Sequence, residues 1–173
     1  GEVHSLLVDS ESQLLSCGVE RIGGDDEEDE EDEGEDADAD DLPGLLGQGL
    51  LARPEVGMPR PLPLPSMCSV RVLCVAAADM HSLAVAEGGD LFSWGSGVNG
   101  RLGHGDEEDV RLPRRVEAPW GSRPVTVAAA FQHSLAVTEA GALFSWGQGQ
   151  SGRLGHGHEE DLLVPCRVAA LDG

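Results

Sequence analysis

Histidines are the side chains of this 173-residue chain with the clearest capacity for chemistry, because imidazole can act as a base or bind a metal ion. Five of the six histidines occupy two recurring positions of a repeated pattern, and only His158 stands outside it. The first position holds His4, His81 and His133, and the second holds His104 and His156. This regularity predicts one structural hydrogen bond repeated in each unit, with imidazole bridging backbone groups, rather than a catalytic or metal cluster.

Two glycine runs, at residues 95–100 and 147–152, fit the G-x-G-x-x-G pattern of dinucleotide-binding loops. In such a loop the third glycine opens an apolar helix whose N-terminus holds the pyrophosphate. Here Arg-Leu-Gly-His-Gly follows instead, and that sequence does not favour a helix. We therefore expect these glycines to serve sharp turns and close backbone approaches, and we predict no cofactor.

The remaining reactive residue types also lack the spacing of a site. The acidic stretches 106–109 and 159–161 lack the alternating ligands and central glycine of a Ca²⁺ loop. The four cysteines show no metal-binding spacing, and free thiols suit the cytoplasm or the nucleus. Ser93 and Ser145 fall inside predicted strands rather than at a nucleophile elbow. The sequence thus predicts a chain that is not an enzyme, with no catalytic or metal-binding residues.

Charge is concentrated in one segment. Between Asp25 and Asp41, 14 of 17 residues are Asp or Glu, and the whole chain carries a formal net charge of −21. Such a run repels itself and buries no apolar area, so we expect a solvated, disordered insertion. The negative field argues against direct nucleic-acid binding and is compatible with a basic protein partner. No apolar stretch is long enough for a membrane span.

A 25-residue pattern occurs twice, starting at His81 and at His133, and it organises the chain. Extended to Val116 and Val168, the two copies agree at 25 of 36 positions. A degenerate third copy opens the chain, with Cys17 in the place of the tryptophan of the other copies. A repeat of this period indicates stacked or radially arranged units.

Within one repeat the pattern is that of short strands. Residues 125–129, 133–138, 142–146 and 164–168 are apolar or alternating and are separated by glycine-containing turns. Leu135 and Val137 share one face of the second strand, and Phe144 and Trp146 share one face of the third. Four such strands predict one antiparallel propeller blade, with the aromatic residues packed between neighbouring blades.

The motifs H-S-L-x-V, L-F-S-W-G-x-G and G-R-L-G-H-G, followed by proline and Arg-Val, resemble the regulator of chromosome condensation repeat. The resemblance is strongest over 75–168 and implies blades of a seven-bladed β-propeller. Three repeats do not close such a ring, so we expect an incomplete propeller or open arc, with further blades supplied by a longer chain. Family members usually have glycine where Ala78 and Ala130 stand, so these turns must adopt angles that alanine accepts or carry some strain.

The predicted organisation has five parts. Residues 1–24 are the first half of the degenerate repeat, 25–41 the acidic insertion, and 42–66 the rest of that repeat with a proline-rich connector. Residues 67–121 and 122–173 are the second and third repeats. The structural repeat positions are His81, Trp94, Gly95, Gly97, Gly100, Leu102, Gly103, Gly105, His133, Trp146, Gly147, Gly149, Gly152, Leu154, Gly155 and Gly157.

These features favour a non-catalytic protein-interaction module within a larger protein. The candidate partner-binding residues are Arg101, Arg153, Asp29 and Glu30. The family resemblance implies two alternatives: a guanine nucleotide exchange factor for a small GTPase such as Ran, and the propeller segment of a HECT-type ubiquitin ligase. It also includes plant UV-B photoreceptors, but their diagnostic tryptophan precedes an Arg-His pair, whereas Met80 and Gln132 precede the histidines here.

Overall fold

The chain folds into short strands arranged in three antiparallel sheets. The structure, a computed structural model, describes residues 4–11, 13–18, 60–61 and 71–169. The first sheet contains β1 (His4–Val8), β2 (Leu14–Gly18) and β3 (Arg60–Pro61). The second contains β4 (Val72–Ala77), β5 (His81–Ala86), β6 (Leu91–Gly95) and β7 (Val110–Arg115). The third contains β8 (Pro124–Ala129), β9 (His133–Thr138), β10 (Leu143–Gly147) and β11 (Leu162–Arg167).

Each complete sheet follows the chain as a meander, so the predicted four-stranded blade is confirmed. The register of the two sheets is the same: His81 pairs with Gly95, and His133 pairs with Gly147. A register shift interrupts the pairing of β6 with β7 and of β10 with β11 at equivalent places. Two short 3₁₀ turns, Val98–Gly100 and Gln150–Gly152, lie in the glycine runs. No helix in the described part of the chain is long and apolar enough to cross a membrane.

Neighbouring sheets pack through their inner strands and their aromatic residues. β4 lies against β8, and β1 lies against β4, as expected for blades arranged around a common axis. Trp94 packs with Leu14 of the first sheet, and Trp146 packs with Leu83 and Val85 of the second. Both indole rings are fully buried, which confirms the predicted packing of aromatic residues between blades.

The second sheet is covered on both faces and the third on one face by the described residues. All six residues of β5 are buried, whereas burial alternates along β9. Leu135 and Val137 do share a face, but it is the less buried one, and Ser134 and Ala136 occupy the covered face. The face with Leu135 and Val137 is more exposed because it lies on the side of the third sheet that is turned away from the second sheet.

The structure corrects one prediction about the proline-rich stretch. Arg60 and Pro61, which fall in the predicted connector, instead pair with Ser16 and Leu15 as the outer strand of the first sheet. Proline is accepted there because an edge strand leaves its N–H side unpaired. Ala78 lacks a positive φ, as predicted. The acidic insertion lies outside the described residues.

Candidate functional site

The junction between the second and third sheets gathers the polar residues of the repeat at one point, the backbone carbonyl of Arg101. The Ser134 hydroxyl donates to this oxygen at 2.8 Å, and Trp146 Nε1 donates to it at 2.9 Å. The Ser134 oxygen also contacts His81 Nε2 at 2.8 Å. Because the serine proton is already donated to the carbonyl, His81 Nε2 must be the donor in this contact. We call this arrangement the joint.

The joint recurs between the first and second sheets, where His4 Nε2 lies 2.7 Å from Ser82 Oγ. The predicted recurring hydrogen bond is therefore confirmed, but its predicted partner was wrong. The imidazoles of His4 and His81 each bind a serine hydroxyl of the next sheet rather than bridging backbone groups. Nδ1 of His4, His81 and His133 has no partner among the described residues. A serine side chain of the next sheet, rather than its backbone, lies within hydrogen-bond distance of the His4 ring and of the His81 ring.

The second histidine position forms a related bond inside each sheet. Ser93 donates to the carbonyl of Leu102 at 2.7 Å and contacts His104 Nε2 at 2.9 Å. Ser145 repeats this contact with Leu154 and His156 at 2.7 and 2.8 Å. Because both serines are fully buried and their protons are committed, they are not available as nucleophiles.

Burial sets the protonation state of these histidines. Desolvation, with a smaller contribution from the charges of Arg101 and the neighbouring histidines, lowers the pKa of His81 to about 3. Desolvation likewise lowers the pKa of His4 and of His104 to about 4. Burial also lowers the pKa of His133. The rings are therefore neutral at physiological pH, and the contact of His81 with Ser134 requires the tautomer that carries its proton on Nε2.

The glycine runs are closed by carboxylates of the chain itself. Gly97 N–H donates to Asp109 Oδ1 and Gly149 N–H donates to Asp161 Oδ1, both at 2.8 Å. A backbone N–H that already donates to a carboxylate is not free to donate to a phosphate. Sequence reasoning missed this role for the two aspartates, although their identical spacing from the glycines was a usable signal.

Two glycines show why no other residue fits. Gly147 has φ +103°, and a Cβ there would lie 2.6 Å from the carbonyl oxygen of Gln132. Gly149 has a negative φ, but a Cβ would lie 2.0 Å from the carbonyl oxygen of Glu160. The second case is a close approach of two backbone segments rather than a conformational requirement.

The four candidate partner residues differ in their exposure and in whether the structure describes them. Arg101 is only 4% exposed, and its guanidinium donates to the carbonyls of Val98 and Phe131 at 2.8 and 3.2 Å. Arg153, its equivalent in the third sheet, is exposed and donates to the carbonyl of Gln150. Asp29 and Glu30 lie outside the described residues. A partner-binding role for these residues stays a prediction.

Within the described residues, no group of three or more histidine, cysteine, aspartate or glutamate side chains is arranged to hold a metal ion. His156 and His158 stack with ring centroids 5.8 Å apart, but a pair of rings is not a complete ligand set. The described residues therefore contain hydrogen-bonded joints between the sheets, with exposed loops beside them.

Blades of four antiparallel strands, repeated in register and joined through the same residues, define the β-propeller class. Residues 88–137 and 140–173 match the regulator of chromosome condensation (RCC1) repeat. These two segments are repeats of this family, as their motifs predict.

The chain is similar in sequence to a receptor and a ligase, and in structure to Prp20p. The Arabidopsis thaliana ultraviolet-B receptor UVR8 is 44% identical over 113 residues, which is 65% of this chain and 26% of UVR8. The human E3 ubiquitin-protein ligase HERC2 is 42% identical over 104 residues, which is 60% of this chain and 2% of HERC2. The crystal structure of Prp20p from Saccharomyces cerevisiae matches 97% of this chain and 36% of its own, at 26% identity and a TM-score of 0.71. The chain thus spans about a third or less of each.

Proposed function

We propose that this chain is a non-catalytic protein-interaction module, part of a longer propeller protein. One observation carries the proposal: histidines and serines at repeated positions hydrogen-bond to each other between sheets, as His81 and Ser134 do, or within a sheet, as His104 and Ser93 do. The reactive side chains thereby hold the scaffold, and the exposed loops remain for partners. Loops on a rigid scaffold are a common site of protein recognition.

The nature of the partner is suggested by a neighbour in structure. Prp20p has binding properties to Gsp1p and to histones, and yeast RCC1 (Prp20) has been crystallised bound to Kap60. These partners are proteins, which supports a protein rather than a nucleic acid or a membrane as the ligand of this chain. A small GTPase or a basic protein are the two partner classes that we propose. We further propose a location in the cytoplasm, the nucleus or both.

The test uses purified protein with a Gsp1p-type GTPase and with histones as probes. We expect binding of at least one probe by titration calorimetry, and no acceleration of fluorescent GDP release when the chain is present at catalytic ratios. Acceleration of release would contradict a non-catalytic role. If neither probe binds, the proposed partner classes are wrong.

Guanine nucleotide exchange is the second candidate function, and the likeness to Prp20p favours it. The release assay decides between the two. A third candidate, the propeller segment of a HECT-type ubiquitin ligase, is favoured by the 42% identity with HERC2. Sequencing of the full reading frame tests it, since a HECT domain must then follow in the same chain.

A further inference from the structure

Antiparallel order places the loops of each sheet at two opposite ends. The segments 78–80, 96–109, 130–132 and 148–161 follow strands that run in one direction, so they share one end, which we call the long-loop end. The turns 87–90 and 139–142 and the connection 116–123 share the other, which we call the hairpin end. Asn99 Nδ2 donates to Asp161 Oδ2 at 3.2 Å, so the long-loop ends of the two sheets adjoin.

Acidic residues at the hairpin end are neutralised by arginines. Glu87 lies 4.0 Å from Arg71, and Glu139 lies 3.1 Å from Arg123. Asp90 and Glu117 both lie near Arg115, at 3.0 and 3.5 Å. These pairs leave little unbalanced charge at this end of the second and third sheets.

Acidic residues at the long-loop end are mostly left unbalanced. The segments at this end carry eight carboxylates and two arginines, of which Arg101 is buried, and Arg111 follows near the start of β7. The carboxylates are Asp79, Asp106, Glu107, Glu108, Asp109, Glu159, Glu160 and Asp161. Asp106 lies 3.7 Å from Arg114. Within the described residues, the exposed side chains of Glu107, Glu108, Glu159 and Glu160 form no ion pair.

Two exposed apolar side chains lie among these acids. Phe131 is 60% exposed and Val98 is 49% exposed. They come from different sheets, but the Arg101 guanidinium binds the backbone carbonyls of both, so they adjoin across the joint and their backbone is held in place. An exposed aromatic residue beside a second apolar side chain, surrounded by polar groups, has the composition of an interface centre with its rim.

We propose that Val98 and Phe131, flanked by Glu107–Glu108 and Glu159–Glu160, form a docking surface for a basic protein segment that carries an apolar anchor side chain. The inference rests on the proposed function and specifies its partner. The formal net charge of −21 disfavours a second copy of this chain as the occupant, and it repels nucleic acid in the same way. A basic segment satisfies the unpaired carboxylates while its apolar residue covers Phe131.

The experiment titrates the full chain against a synthetic peptide in which lysines flank a central pair of leucines. Fluorescence anisotropy at low and physiological salt measures binding. We expect Phe131→Ala to weaken binding about tenfold or more, as loss of an aromatic anchor does. We expect the double substitution Glu107→Gln and Glu108→Gln to weaken it and to reduce its salt dependence.

Matched controls separate the surface from general effects. Leu73→Ala removes an apolar side chain that is 55% exposed on strand β4, and Glu87→Gln with Glu139→Gln removes two charges at the hairpin end. We expect both controls to bind as wild type. The proposal is overturned if wild type does not bind, if Phe131→Ala binds equally well, or if deletion of residues 25–41 alone abolishes binding.

The outcome is distinguishable from that of the proposed function. Binding of the histone or GTPase probe without binding of the peptide would refute the docking surface and leave the interaction module intact. Peptide binding that depends on Phe131, together with catalytic nucleotide release, would refute the non-catalytic role and leave the docking surface intact.

Discussion

Removal of the Ser134 hydroxyl is the sharpest perturbation of the joint. In Ser134→Ala the carbonyl of Arg101 keeps its bond from Trp146, but His81 Nε2–H loses its acceptor at a site with no access to water. An unsatisfied buried donor costs about 1–3 kcal/mol, so we expect the free energy of unfolding to fall by about 2 kcal/mol. Urea denaturation followed by tryptophan fluorescence measures the change, because both indole rings near the joints are buried.

The chain contains its own control for this substitution. Ser5 occupies the same repeat position in the first sheet, is exposed, and its side chain forms no hydrogen bond among the described residues. We expect Ser5→Ala to change the free energy of unfolding by less than about 0.5 kcal/mol. Equal losses for Ser134→Ala and Ser5→Ala would refute the joint as a source of stability.

Two further predictions concern backbone packing and pH. Gly149→Ala should destabilise the fold by about 1–3 kcal/mol, because its Cβ would lie 2.0 Å from the Glu160 carbonyl oxygen. Gly88→Ala, whose Cβ would meet no atom within 4 Å, should be nearly neutral. Thermal unfolding of both variants measures the difference. Because the folded-state pKa values of His4 and His81 are lowered to about 4 and about 3, the unfolded chain binds protons first as the pH falls below 6.5. Stability should therefore fall with pH between 6.5 and 4, by up to about 1.4 kcal/mol per pH unit for each histidine, and a flat profile in urea titrations would contradict this.

The repeat made the strands and their order predictable. The 52-residue spacing of the His-Ser-Leu motif fixed the unit, and alternation along residues 133–138 gave the strand period. The fully buried tryptophans followed from their recurrence at the end of the same strand. The strand pattern is local to one repeat, and comparison of the copies supplies the length of the unit and the recurring positions.

Contacts between repeats could not be predicted in the same way. The bond between His81 and Ser134 joins residues 53 apart, and it depends on how far one sheet is rotated against the next. The burial of Arg101 depends on the same rotation, because its guanidinium reaches the carbonyl of Phe131 in the neighbouring sheet. Sequence periodicity specifies the unit but contains no direct measure of that rotation.

The pairing of Asp109 with Gly97 was missed for a different reason. Sequence reasoning excluded a Ca²⁺ loop in the acidic stretches but assigned no role to any single carboxylate. Within each run, only one carboxylate turns back toward the glycine loop, and its neighbours remain exposed. Composition averages over such differences between adjacent residues.

The side-by-side placement of the second and third sheets is tested most directly by a crosslink between their inner strands. Cys74 Sγ on β4 lies 3.6 Å from Thr126 Oγ1 on β8, so a thiol introduced by Thr126→Cys would lie close to disulfide range. We predict that mild oxidation joins Cys74 to this thiol, as identified by mass spectrometry of digested protein. Val164→Cys, an exposed position on β11 at the other edge of the third sheet, should form no such link. Crosslinking by Val164→Cys but not by Thr126→Cys would contradict the arrangement of the sheets.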